Sequence, residues 1–308
     1  MSADVPVSDT RWFILYRGPL SSCNYACGYC PFAKTRNTRA ELEHDAACLR
    51  RFTDWVASRK ERIGVLFTPW GEALIHRYYQ EAMQRLSHLP NVWRVAAQTN
   101  LSFDPARLHG CNRETTALWT TYHPTETTVP RFVEKCRALK QAGIRHSVGV
   151  VGRKEAMEDI STLRAELPAD TYVWVNAWKR EADYYTTKEV EQMRAVDPHF
   201  EFNLRPHPSL GRGCRSGHAA FTVDGAGDAR RCHFIKDVMA NIYDGAALEH
   251  ALRPRPCSIA ECRCHIGYVH LDHLRLDTVF GDGLLERIPR VWPGLQNGAV
   301  VIESTSQS

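Results

Sequence analysis

Short apolar runs alternate with longer amphipathic stretches along the first two-thirds of the chain. The candidates for buried strands are Trp12–Tyr16, Ile63–Phe67, Trp93–Ala97, Ala117–Thr121, Ile144–Val151 and Thr171–Asn176. Apolar residues at helical spacing predict helices at Arg39–Ser58, Arg77–Leu86, Val129–Ala142, Ala156–Leu167 and Thr187–Val196. About six strand–helix units in this order predict a parallel sheet covered by helices.

This alternation stops near residue 200. Prolines and glycines cluster at positions 206–213, and five cysteines follow them. The segment Phe221-Thr-Val-Asp-Gly225 predicts a β-hairpin with an Asp-Gly turn. We therefore expect an α/β domain at 1–200, a small cysteine-rich module at 201–285 and a tail at 286–308, with Glu303–Ser308 frayed.

Composition narrows the possible partners and the compartment. The formal charge of +4 is small for 308 residues, and no Lys/Arg block stands out, so we expect no nucleic-acid partner. No apolar run reaches about 18 residues, so no membrane span is expected. The N-terminus does not resemble a secretory signal, and the eleven cysteines therefore indicate metal ligands in a reducing cytoplasm and not disulfides.

The N-terminal cysteines carry the most specific chemical information. Cys23, Cys27 and Cys30 follow the first predicted strand with CxxxCxxC spacing. Thiolates suit iron–sulfur clusters, and three of them leave one iron of a [4Fe–4S] cluster without a protein ligand. Structural zinc sites more often pair their cysteines as CxxC, so zinc and chance spacing are the weaker alternatives.

This segment, with Tyr29 just before its last cysteine, resembles the signature of the radical S-adenosylmethionine (SAM) enzymes. The resemblance implies an α/β fold, a partial (β/α)6 TIM-like barrel, with SAM on the open iron and Tyr29 near its adenine. It also implies that SAM is cleaved to methionine and a 5′-deoxyadenosyl radical, which abstracts a hydrogen from the substrate. Arg17, Lys34 and Arg36 flank the motif as candidates for the SAM carboxylate, and we expect them to be solvated charges.

Gly71 and Glu72 follow the second predicted strand and resemble the family's Gly-Gly-Glu-Pro motif. The resemblance implies that they receive the amino group of SAM. Trp70 and Ala73 depart from that motif, because they replace its first glycine and its proline. A surface turn with a solvated Glu72 is the alternative interpretation.

Polar residues end the later strands, where barrel enzymes collect their active sites. Asn100, Ser147 and Asn176 are candidate contacts to SAM or the substrate. Tyr122 and His123 are candidate catalytic residues, because they could contact the substrate or relay a proton. Turn formation and packing are the alternatives for all of them.

A second cysteine set lies in the C-terminal third of the chain, at Cys214, Cys232, Cys257, Cys262 and Cys264. It resembles the auxiliary-cluster modules called SPASM and twitch that some radical SAM enzymes carry. Five cysteines fit one auxiliary [4Fe–4S] cluster with four thiolate ligands. One of Cys257, Cys262 and Cys264 is then either spare or placed to guard an open iron. Zinc bound by four thiolates remains the alternative.

Three classes of function follow from these motifs. The first is a radical SAM enzyme that oxidises a small molecule or a short peptide with help from the auxiliary cluster. The second is a maturase that crosslinks, epimerises or oxidises a peptide or protein. The third is a non-catalytic iron–sulfur electron carrier or zinc module. For either enzyme we expect an electron donor such as flavodoxin or ferredoxin.

Overall fold

One nine-stranded sheet organises the chain, and the computed structural model describes residues 8–296. The strands of this sheet and of a separate two-stranded sheet are, in chain order, β1 (Ser8–Arg17), β2 (Glu61–Phe67), β3 (Val92–Thr99), β4 (Thr116–Tyr122), β5 (Arg145–Gly152), β6 (Val173–Ala177), β7 (His207–Pro208), β8 (Ala220–Asp224), β9 (Asp228–Arg230), β10 (Val238–Asn241) and β11 (Glu261–Cys262). The strand order is β10-β9-β8-β1-β2-β3-β4-β5-β6, and β7 pairs with β11.

Ten α-helices accompany these strands in the described part of the chain. They are α1 (Arg39–Ala57), α2 (Arg77–Ser87), α3 (Val129–Gln141), α4 (Met157–Glu166), α5 (Thr187–Val196), α6 (Glu201–Leu204), α7 (Ala247–Ala251), α8 (His265–Tyr268), α9 (Leu276–Phe280) and α10 (Pro293–Gln296). Within residues 8–296, no helix combines the length and the apolar character that crossing a membrane requires.

Strands β1 to β6 are parallel neighbours in chain order, as the sequence pattern predicts. A helix follows every one of these strands except β3, after which only a 3₁₀ turn, Pro105–Leu108, precedes β4. The sheet stays open because β1 pairs on its other side with β8 and not with β6. This is the expected α/β architecture of a partial (β/α)6 barrel.

The two faces of the sheet have different partners. Outward side chains such as Ile14, Val65 and Val148 pack against the helices in one apolar cluster. Inward side chains such as Trp119 and Trp174 pack against the C-terminal segment in a second cluster. The C-terminal residues therefore fill part of the barrel interior.

The hairpin predicted around Phe221 is confirmed as β8 and β9, which are antiparallel. It extends the main sheet, because Phe221 lies beside Ile14 of β1 in a parallel pair. The residues after 200 therefore share the sheet of the barrel, although the sequence suggested a separate module at 201–285. Pairing between segments about 200 residues apart has no local signature in the sequence.

The expected tail at 286–308 begins with a buried segment, while residues 297–308 lie outside the described residues. The carboxylate of Glu286 is fully buried and lies 3.3 Å from Arg94 Nε and 3.2 Å from Arg145 Nη2. The guanidinium of Arg287 lies 4.3 Å from the ring centre of Trp174 inside the barrel. These ion pairs and ring contacts fix residues that the sequence alone placed in a tail.

The Glu286→Ala variant is expected to lose about 3 kcal/mol of unfolding free energy, because it leaves the buried Arg94 without its counter-ion. Urea unfolding at neutral pH measures this loss. The matched control is Asp282→Ala, which removes an exposed carboxylate that lies 2.9 Å from Arg11 and should cost less than about 1 kcal/mol. Equal losses in the two variants would contradict a stabilising role for the Glu286 ion pairs.

Candidate active site

The cysteine loop is closed at its base by Asn37. The side-chain oxygen of Asn37 accepts hydrogen bonds of 2.8 Å from the backbone N–H groups of both Ser21 and Ser22. Thr38 then begins α1 with a capping box that it forms with Glu41. The chain just before Cys23 is therefore held against the start of α1, and the loop between them forms a compact turn.

The three thiols of this loop lie within electrostatic reach of one another. Burial is the main factor that raises the pKa of Cys23 to about 11, and Glu72, Cys27 and Cys30 raise it further. The backbone N–H of Cys30 donates to the carbonyl of Cys27 at 3.1 Å, which folds the last part of the loop. The spacing seen in the sequence thus gathers three sulfur donors in one place.

Polar groups surround these sulfur atoms. The backbone N–H of Tyr25 lies 3.4 Å from Cys23 Sγ, and Asn100 Nδ2 lies 3.6 Å from the same sulfur. His123 Nδ1 lies 3.5 Å from Cys27 Sγ. Donors around the sulfurs stabilise thiolates bound to iron and tune the cluster that they hold.

Gly71 and Glu72 join the end of β2 to the cysteine loop. A Cβ atom at position 71 would lie 2.0 Å from the carbonyl oxygen of Ser22, so only glycine fits there. The backbone N–H of Glu72 donates to the same oxygen at 3.0 Å. The motif therefore stands directly against the residue that precedes Cys23.

The Glu72 carboxylate is buried, which rules out the alternative of a solvated surface glutamate. Its Oε1 accepts from Leu74 N at 3.0 Å and from Thr99 Oγ1 at 2.7 Å, and its Oε2 accepts from Asn100 N at 2.6 Å. Burial raises the pKa of Glu72, and these donors oppose the shift. Asn100 thus links the carboxylate to Cys23 across the ends of β2 and β3.

His123 joins the cysteine loop at the end of β4. Its Nδ1 lies 2.9 Å from the hydroxyl of Tyr29, and the two rings are stacked with centres 6.0 Å apart. Burial lowers the pKa of His123 to about 4, so the ring is neutral near pH 7. The structure therefore brings two of the predicted residues, Tyr29 and His123, to the first cysteine set.

Tyr122 lies on the other face of the same strand. Its ring packs against Phe132 of α3, and its hydroxyl donates to Asp159 Oδ2 at 3.4 Å. Side chains of successive strand residues point to opposite faces, so Tyr122 and His123 cannot both face the interior. The expectation that Tyr122 faces the barrel mouth is corrected by this register.

Ser147 and Asn176 occupy opposite ends of their strands. Ser147 lies near the start of β5 and is fully buried, and its hydroxyl donates to the carbonyl of Glu286 at 2.6 Å. It is therefore bound to the C-terminal segment, far along β5 from the mouth. Asn176 is exposed near the end of β6, where its side-chain oxygen accepts from Asn203 at 3.3 Å.

A polar row that the sequence did not reveal crosses the ends of β1, β2 and β3. Arg17 donates to Thr68 Oγ1 at 3.4 Å, and Thr68 in turn donates to the side-chain oxygen of Gln98. Arg17 also lies over the ring of Trp70, 4.2 Å from its centre. The prediction that Arg17 is a solvated charge is therefore wrong, because the fold turns its guanidinium inward.

The second cysteine set is also gathered by the fold. Burial is the largest cause that raises the pKa of Cys262 to about 12, followed by the thiols of Cys232, Cys264, Cys214 and Cys257. The backbone N–H of Ile235 donates to the carbonyl oxygen of Cys232 at 3.1 Å, which turns the chain just after this cysteine. All five predicted cysteines thus lie in one neighbourhood beside the barrel.

The donor chemistry of both cysteine sets fits iron–sulfur clusters. All eleven cysteines of the chain are free thiols. Across residues 8–296, no three His, Cys, Asp or Glu side chains are arranged around a point that a single metal ion could occupy. A [4Fe–4S] cluster holds its thiolates further apart than one ion does, because each thiolate binds a different iron.

Comparison with known proteins supports the fold. No protein-family model and no curated protein sequence matches this chain. A solved structure of native anSMEcpe with bound AdoMet (SAM) and a Cp18Cys peptide has a TM-score of 0.52 at 13% identity, covering 77% of this chain and 80% of that chain. A second, with AdoMet and a Kp18Cys peptide, has a TM-score of 0.53 at 12% identity, covering 78% and 81%. The chain therefore has the fold of the radical SAM enzymes that its cysteine motif resembles.

Proposed function

We propose that this chain is a radical SAM enzyme that cleaves SAM reductively and abstracts a hydrogen from a small-molecule or short-peptide substrate. One observation carries the proposal. The carboxylate of Glu72 and the side chain of Asn100 meet the CxxxCxxC loop at the ends of β2 and β3, with the Asn100 amide 3.6 Å from Cys23 Sγ. A structural metal site would not require a buried carboxylate next to a set of only three cysteine ligands.

Each residue has a distinct part in this proposal. Cys23, Cys27 and Cys30 hold the cluster. When bound, the cluster would supply the electron that cleaves SAM and an open iron to which SAM binds. Glu72 and Asn100 receive the amino group of SAM; Oε2 of Glu72 accepts one N–H within the chain and keeps a lone pair free. Tyr29 lies beside the adenine, and Asn176 is exposed at the mouth for the ribose or the substrate.

The second cysteine set is proposed to hold one auxiliary [4Fe–4S] cluster. This cluster would take the second electron from the substrate radical, so that the net reaction is an oxidation. Flavodoxin or ferredoxin is the proposed donor of the first electron. His123, a neutral ring beside Tyr29 and Cys27, is the proposed residue for proton transfer at the mouth.

Anaerobically reconstituted protein tests the proposed function. With dithionite, the protein is expected to convert SAM into equal amounts of methionine and 5′-deoxyadenosine, which chromatography with mass detection quantifies. The same sample without reductant should leave SAM intact. Cleavage without reductant, or S-adenosylhomocysteine in place of 5′-deoxyadenosine, would overturn the proposal.

A peptide maturase is the second candidate, since both anSMEcpe structures of similar fold contain a bound peptide. Deuterated candidate substrates separate the two, because the hydrogen that is abstracted appears in 5′-deoxyadenosine. Deuterium transferred from peptides and not from metabolites would select the maturase. The reverse pattern would select the small-molecule enzyme.

Iron content tests the auxiliary cluster. Reconstituted wild-type protein is expected to bind about eight iron atoms per chain, and the variant with alanine at Cys23, Cys27 and Cys30 about four. Iron and acid-labile sulfide assays measure both quantities. A wild-type value near four that drops to none in the triple variant would show that only the first cysteine set binds a cluster.

A further inference from the structure

Arg17 is a largely buried cation at the end of β1. Its Nε is buried without a hydrogen-bond partner. Its contacts are the Thr68 hydroxyl and the face of Trp70, both uncharged. Within residues 8–296, no carboxylate forms an ion pair with it, although buried charges in proteins are normally paired.

Lys179, just after β6, is a second cation without a carboxylate partner. Its ammonium group is bound by neutral acceptors, the carbonyl and side-chain oxygens of Asn203 at 2.9 and 2.8 Å. No Asp or Glu in the described chain pairs with it either. The thiol of Cys264 is an electrostatic partner of both Arg17 and Lys179, so both cations lie near this one sulfur atom.

An aromatic platform borders this region. The rings of Phe32 and Trp70 pack with centres 4.5 Å apart, and the two side chains are 45% and 42% exposed. Arg17 lies on the Trp70 ring and is also near Cys264. A ligand in this region would therefore meet two cations and an accessible aromatic surface.

We propose that Arg17 and Lys179 bind an anionic group, a carboxylate or a phosphate, on the substrate that receives the radical. The inference rests on the proposed function and names the substrate class for that site. Arg17 supplies the directed hydrogen bonds, since its Nε is free, and Lys179 supplies charge while its own hydrogen bonds stay within the chain. An anionic group of the substrate would give Arg17 and Lys179 the counter-ion that no carboxylate of the described residues provides.

Binding to the unreduced holoprotein at saturating SAM tests this assignment by calorimetry. The probes are phenylacetate and phenyl phosphate, with phenylacetamide as the neutral match in shape, because each offers a ring to the aromatic platform. We expect at least one anion to bind at least tenfold more tightly than the amide. Comparison of the two anions tells a carboxylate from a phosphate. Equal binding of all three probes would overturn the proposal.

Variants locate the site. Arg17→Gln is expected to remove the tenfold preference for the anion, and Lys179→Met to reduce it severalfold, with SAM affinity and iron content unchanged. Arg77→Gln is the matched control, because it removes an exposed arginine paired with Glu81 and should keep the preference. If Arg17→Gln weakens SAM binding or lowers iron content and leaves anion binding intact, Arg17 serves SAM or a cluster and the proposal fails.

The binding titrations and the SAM cleavage assay can succeed or fail independently of each other. These titrations need neither reductant nor turnover, so they detect the anion site even in protein that does not cleave SAM. Failure of the reduced protein to form 5′-deoxyadenosine would overturn the proposed function alone. Cleavage of SAM without any preference for the anionic probes would overturn the substrate class alone.

Discussion

Replacing Cys27 by alanine is expected to lower the rate of 5′-deoxyadenosine formation by at least about three orders of magnitude. Two thiolates cannot hold a [4Fe–4S] cluster that keeps one iron open, so the electron source for SAM cleavage is lost. The effect should appear as loss of cleavage together with loss of about four iron atoms per chain. Anaerobic turnover assays and iron analysis of the same preparation measure both.

Cys48→Ala is the control for this variant. Cys48 is buried on α1, where its sulfur lies 3.6 Å from His44 Nε2, and neither cysteine set includes it. We expect this variant to keep its iron and to cleave SAM at a rate within about threefold of wild type. Cleavage that survives in Cys27→Ala, or that vanishes equally in Cys48→Ala, would be incompatible with the assigned ligand.

Gly71→Ala is expected to weaken SAM binding at least about tenfold and to lower the iron content of the first cluster. The added methyl group would need the space of the Ser22 carbonyl, only 2.0 Å away. Such overpacking typically costs about 1–3 kcal/mol of stability and forces the backbone to move. The backbone that must move leads directly into Cys23. Titration of the reconstituted protein with SAM measures the affinity.

The same loop provides a matched glycine. A Cβ atom at Gly28, inside the cysteine motif, would meet no atom within 4 Å. Gly28→Ala should therefore change SAM affinity by less than about twofold, although Gly28 lies nearer in sequence to the cysteines. If the two variants behave alike, the close contact between Gly71 and Ser22 does not position the cysteine loop.

The barrel could be predicted from local patterns because each buried strand has its own apolar run. The run Ile63–Phe67 falls within β2 (Glu61–Phe67), for example. The pairing of β8 with β1 could not be predicted, because the two strands are about 200 residues apart and their pairing depends on the tertiary structure as a whole. The burial of Glu286 escaped prediction for the same reason, since its partners Arg94 and Arg145 belong to distant strands.

At the site, the sequence order of two short motifs predicted which residues lie together. The first cysteine set and the Gly71-Glu72 pair are adjacent in the structure, and the backbone geometry of each motif is local. The choice between Tyr122 and His123 required the register of β4, in which Trp119 faces the barrel interior and Tyr122 faces the helices. The inward position of Arg17 depends on Trp70 and Thr68 from the next strand connection, which no local pattern reveals.

We propose that the first cysteine set leaves one iron open for SAM. Electron–nuclear double resonance can test this on reduced protein carrying alanine at Cys232 and Cys262, which should retain only the first cluster. Adding SAM with an isotopically labelled amino nitrogen should produce a hyperfine coupling between that nitrogen and the cluster. A spectrum unchanged by labelled SAM, in protein shown to contain the reduced cluster, would contradict the claim.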